Sequence, residues 1–136
     1  CGFKEKLEIF KEKNPIGKFI PLNVSAPFHS NLMNESSKIF LQKTTNVKFK
    51  KVNLDLISNY QLINYKNLPE EKYINQLSLQ IHSPVMWSDT IKKIINSGVE
   101  SFIEIGPKKT LLNLIPKDFV GEKISITNSE DIKNYV

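Results

Sequence analysis

A chain of 136 residues, 40% hydrophobic and 24% charged, is long enough to bury one core and too balanced in composition to be disordered. No apolar run approaches the roughly 18 residues that a membrane span needs, and the start Cys-Gly-Phe-Lys-Glu-Lys has no signal-peptide pattern, so a cytoplasmic location is expected. The net charge of +5 comes from 19 lysines without any arginine, spread singly or in pairs, a pattern that speaks against nucleic-acid binding.

In chain order, Phe3, Leu7 and Phe10 recur at helical spacing between lysines and glutamates, which predicts an amphipathic helix over residues 3–13, ended by Asn14-Pro15 and Gly17. Residues 18–24 are apolar and read as a strand. Pro27 then holds a turn that carries His29, and Ser30 or Asn31 is placed to cap a helix running to about Lys43. Its inward stripe is expected to be Leu32, Ser36, Ile39 and Phe40, with Glu35 in the first turn favouring the dipole. A histidine at the carboxyl end of a strand lies where open α/β sheets bind ligands, and its ordinary pKa suits proton transfer near neutral pH. The plainer alternative is a histidine that only packs in the turn.

Residues 54–58 read as a short strand ending at Asn59, and 60–68 as a polar loop. Pro69, Glu70 and Glu71 open a helix to about Ile81, with Tyr73, Ile74, Leu77, Gln80 and Ile81 at helical spacing. Pro84 breaks it. Trp87 leads into a further helix, capped by Ser88 with Asp89 in its first turn, buried through Ile91, Ile94 and Ile95, and stopped by Gly98. Residues 102–105 form a strand, and Pro107 opens a helix with Leu111, Leu112, Leu114 and Ile115 on its core side, stopped by Pro116. A strand over 123–127 and a helix capped by Asn128 or Ser129 close the chain. Helices alternating with short apolar strands predict an α/β class with a short, mostly parallel sheet flanked by helices. A single cysteine, Cys1, excludes an internal disulfide, and Cys1, His29 and His82 are too few and scattered for a metal site.

Three blocks carry a resemblance: Val-Ser-Ala-Pro-Phe-His-Ser-Asn-Leu-Met (24–33), Gln-Ile-His-Ser-Pro-Val-Met-Trp (80–87) and Gly-Val-Glu-Ser-Phe-Ile-Glu-Ile-Gly-Pro-Lys-Lys-Thr-Leu-Leu (98–112). In this order they resemble malonyl-CoA:acyl carrier protein transacylases, over roughly the C-terminal half of that family's chain. The resemblance implies a partial acyltransferase fold: residues 1–24 are the end of a ferredoxin-like small subdomain, and 25–136 the C-terminal part of the large α/β subdomain. It also implies a ping-pong malonyl transfer between malonyl-CoA and an acyl carrier protein without a cofactor, in which a serine of a Gly-x-Ser-x-Gly elbow is the nucleophile. His29 matches the family's general base. Gln80 matches a glutamine whose main-chain carbonyl orients that base, the task an aspartate performs in a Ser-His-Asp triad. Phe28 stands at a position that favours malonyl over branched units. Asn59 and Glu104 are expected to be structural, and His82 to have no role.

Two departures stand out. The family's Gly-Pro-Gly-Lys is Gly106-Pro107-Lys108-Lys109, and neither the serine elbow nor the malonate-binding arginine is found in these residues. The expectation is therefore a C-terminal part that needs an N-terminal half carrying the serine. The alternatives are a non-catalytic remnant or partner-binding module on the same fold, and the acyltransferase domain of a polyketide synthase. No nucleic acid or membrane partner is expected.

Overall fold

The computed structural model describes residues 1–135, which fall into two compact units, Cys1–Met86 and the described residues from Trp87 onward. In the first, helix α1 spans Lys4–Lys13 and buries none of its residues. Phe10 of this helix lies edge-on to Phe19, with centroids 5.9 Å apart. Helix α2, Asn34–Thr44, packs against α3, Tyr73–His82. The two helices meet through small residues. Ser37 and Ser78 are both buried, their hydroxyls 2.6 Å apart and each within hydrogen-bond reach of the other's main-chain carbonyl, at 2.9 and 3.2 Å. Tyr73, 2% exposed, anchors the other end of α3, edge-on to Phe49 and Tyr65 and accepting the Val52 N–H on its hydroxyl.

The expected inward stripe of α2 is turned by one residue. Met33 and Ser37 face inward, whereas Leu32, Ser36 and Ile39 are exposed, because contact between the helices runs through the serine pair. Nor do Ser30 and Asn31 cap with their side chains. The Ser30 hydroxyl donates to the Pro27 carbonyl at 2.6 Å, and the chain enters α2 through a 3₁₀ turn over Asn31–Met33.

The strand expected at 18–24 carries no ladder, and Leu22 is 77% exposed. Its β-propensity finds no neighbouring strand among the described residues, and propensity without a partner forms no sheet. Residues 54–58 contribute one antiparallel bridge, Ile57 to Asn64. The chain folds back there through a four-residue turn, 59–62, whose last two residues, Gln61 and Leu62, are both left-handed, at φ 62° and 54°. The Ser58 N–H to Ile63 carbonyl and Tyr65 N–H to Leu56 carbonyl bonds, 2.8 and 2.9 Å, hold it closed.

In the second unit, α4 covers Trp87–Asn96, two residues earlier than a Ser88 cap implies, so Ser88 lies inside the first turn rather than at the cap. Thr90 and Ile91 are buried, and Gly98 ends the helix at φ 84°. Strands β1, Ser101–Ile105, and β2, Glu122–Ile126, pair in parallel with Ile103 beside Ile124. Phe102 stacks edge-on with Phe119 at 4.9 Å.

The helix expected from Pro107 is reduced to a 3₁₀ turn at Leu112–Leu114. The Glu104 carboxylate accepts the N–H groups of Leu111 and Leu112 at 3.1 and 2.9 Å, taking amides that a longer helix would use. Pro116 then forces Ile115 into the extended region, ψ 136°. Helix α5, Ser129–Tyr135, is capped by Asn128, whose side-chain oxygen accepts the Glu130 and Asp131 N–H groups at 2.8 and 3.0 Å.

Candidate functional site

The site lies in the first unit, where the turn after Pro27 meets the end of α3. The Phe28 N–H bonds the Ala26 carbonyl at 2.9 Å, and the next residue, His29, is left-handed at φ 60°. A non-glycine residue there costs about 1–2 kcal/mol, so neighbouring contacts must hold it in place. They are present: the His29 N–H donates to the Ile81 carbonyl at 3.1 Å, and ring Nδ1 lies 2.9 Å from the Gln80 carbonyl and 3.1 Å from the Ser83 carbonyl.

These contacts decide the proton. Both partners of Nδ1 are carbonyl oxygens, which only accept, so Nδ1 must carry the hydrogen. In the neutral ring the lone pair therefore sits on Nε2. All three carbonyls belong to the last turn of α3 and the residue beyond it, the negative end of a helix.

His29 lines an open cleft of about 530 Å³ between α2 and α3. Met33, Ile39, Phe40 and Ile81 give it apolar walls, with Phe28, Ser36, Asn59 and Gln80 completing the lining. Phe28 is 43% exposed beside the histidine. The Gln80 side chain points elsewhere, donating to the Tyr65 hydroxyl at 2.6 Å. Tyr65 is buried, and burial pushes its pKa up, opposed by hydrogen bonds from Gln80 and Ser58. Asn59 accepts the Met86 N–H on its main chain at 2.7 Å, while its buried side-chain oxygen has no partner.

His29, Gln80 and Phe28 are thus brought together. His82 is not: it lines a separate groove of about 380 Å³ with Asn34, Lys38 and Asn75. Among the described residues no group of three or more His, Cys, Asp or Glu side chains could hold a metal, and no helix is long and apolar enough to cross a membrane. Sequence reasoning missed the Ser83 carbonyl, the Tyr65 anchor of Gln80 and the position of Asn59 in the cleft wall. The first was within reach, since Ser83 precedes a helix-breaking proline. Nothing local to Tyr65 or Asn59 announces a neighbour across the fold.

A parallel strand pair with flanking helices matches part of the acyltransferase fold. The structure superposes on an acyl-carrier-protein S-malonyltransferase from Bartonella henselae with a TM-score of 0.80 and 28% identity, covering 96% of this chain and 41% of that one. In sequence it is 38% identical over 118 residues to the malonyl CoA-acyl carrier protein transacylase of Bacillus subtilis strain 168, and 33% identical over 117 residues to that of Buchnera aphidicola from Schizaphis graminum. These alignments cover 85% and 86% of this chain but only 36% of each relative. No family model matches the chain. The chain is accordingly related to the malonyl CoA-acyl carrier protein transacylases and spans about a third of their length.

Proposed function

We propose that this chain supplies the general base of a malonyl-CoA:acyl carrier protein S-malonyltransferase of fatty acid biosynthesis, working in the cytoplasm with an N-terminal segment that carries the serine. The observation that carries the reading is the imidazole in an open cleft with Nδ1 2.9 Å from the Gln80 carbonyl. In the proposed reaction the serine hydroxyl gives its proton to His29 Nε2 and attacks the malonyl thioester. The C–S bond then breaks, and the proton passes to the departing coenzyme A sulfur. In the second half the carrier's phosphopantetheine thiol gives its proton to Nε2 and takes the malonyl group, and the serine recovers its proton.

Gln80 orients the base. Phe28 fills space that a methyl branch on the malonyl unit would need. Residues 1–24 are the end of a ferredoxin-like subdomain, and 25–136 the C-terminal part of the large one. An acidic carrier would be drawn by a chain of net charge +5.

Mixing the chain with a serine-bearing N-terminal segment of a related transacylase and measuring malonyl transfer from coenzyme A to carrier tests this. Transfer by the mixture, absent from either part alone, is expected. A second reading, a non-catalytic partner-binding module, draws support from the exposed Leu7 and Phe10 on α1 and Phe3 just before it. A mixture that forms a stable complex yet transfers nothing would favour it.

A further inference from the structure

In an α-helix each N–H bonds the carbonyl four residues back. At the end of α3 this ladder runs as far as Ser83, whose N–H reaches the Leu79 carbonyl at 3.0 Å. The next rung would join residue 84 to Gln80. Residue 84 is proline, which has no N–H and whose ring would collide with the carbonyl four residues back. Ser83 leaves the helix at φ −100°, ψ 151°, the extended conformation that a following proline favours.

Two consequences meet at His29. The Gln80 carbonyl is left without a helical donor, and the break turns the Ser83 carbonyl toward the same place. The imidazole Nδ1 takes both, at 2.9 and 3.1 Å. We infer that Pro84 is a positioning residue for His29: by having no amide hydrogen it reserves the Gln80 carbonyl for the imidazole and so fixes the Nδ1–H tautomer. An N–H at position 84 would compete for that oxygen and let the helix continue, carrying the Ser83 carbonyl away. The ring would then be free to protonate on Nε2, the nitrogen the proposed base must keep bare. Pro84 itself is exposed, so replacing it opens no cavity.

The inference rests on the proposed role of His29 for its significance, but its test does not require activity, so the two can fail separately. The ¹⁵N shifts of the His29 ring, recorded on the full 136-residue chain at a pH where the ring is neutral, report the tautomer directly. The wild-type chain is expected to be protonated almost wholly on Nδ1. In Pro84→Ala the Nδ1-protonated share is expected to fall several-fold. N-methylalanine at position 84, which has neither ring nor N–H, is expected to keep the wild-type tautomer. A folded Pro84→Ala with wild-type shifts overturns the inference. So does loss of the tautomer with N-methylalanine, which would make the ring rather than the missing hydrogen responsible. If Pro84→Ala does not fold, the N-methylalanine chain decides alone.

Discussion

At the scale of single residues, His29 and Glu104 show one device used twice: a polar side chain held by main-chain groups rather than by another side chain. His29 gives its ring proton to the last carbonyls of a helix, and Glu104 takes the amides of a turn. Both were legible in part. The motif around His29 and the i-to-i+55 relation to Pro84 lie in quotable blocks of sequence, whereas the left-handed φ of His29 does not, because it is imposed by α3 from across the fold. Glu104 has a pH consequence. The Leu112 N–H foremost, with those of Leu111 and Thr110, holds its pKa below the ordinary 4.5 against the opposing effect of burial. A carboxylate whose folded pKa is depressed stabilises the fold above its unfolded pKa and ceases to do so as pH falls through the folded one. The urea midpoint of the wild-type chain should therefore drop as pH is lowered from 6 to 3, and Glu104→Gln should flatten that slope. An equal slope in both chains would remove Glu104 from the acid response.

At the scale of elements, close approach is what the sequence concealed. Helical periodicity gave α2 and α3 their extents to within a few residues but put the α2 stripe one residue out, because periodicity counts apolar residues and the real contact runs through two serines. Ser78→Leu puts three carbons in place of one hydroxyl in that contact. It should cost about 1–3 kcal/mol, read as a lower urea midpoint, while Ser78→Ala, which leaves the Ser37 hydroxyl its bond to the residue 78 carbonyl, should cost less. A similar constraint governs the entry to β2. A Cβ at Gly121 would strike the Glu100 carbonyl oxygen and the Phe119 ring, and the same carbonyl accepts the Glu122 N–H at 3.0 Å. Gly121→Ala should accordingly lose about 2 kcal/mol or more, as backbone overpacking does. Thermal unfolding indistinguishable from wild type would show that the turn yields. The Pro107 helix was misjudged for a related reason, since the proline and leucines fit a helix and only the acceptor offered by Glu104 prevents one.

At the scale of the whole molecule, the α/β class followed from the alternation of helical and apolar segments. The strand at 18–24 did not follow, because pairing depends on what lies beside a segment. Apolar side chains stay open in both units. Ile16, Leu22 and Val24 are exposed in the first, and Ile105, at the end of β1, is 78% exposed in the second. A sheet of two strands has little stability of its own, and exposed apolar patches are where further polypeptide docks. With the chain spanning 36% of its relatives' length, these surfaces support the proposal that a serine-bearing segment completes the catalytic centre. The direct measurement is the rate of malonyl-serine formation in the reconstituted mixture, with wild-type chain and with His29→Ala. Removal of a general base should slow it by roughly 10²–10⁴-fold while leaving the complex intact. An unchanged rate in the alanine chain would contradict the assignment of His29 as the base.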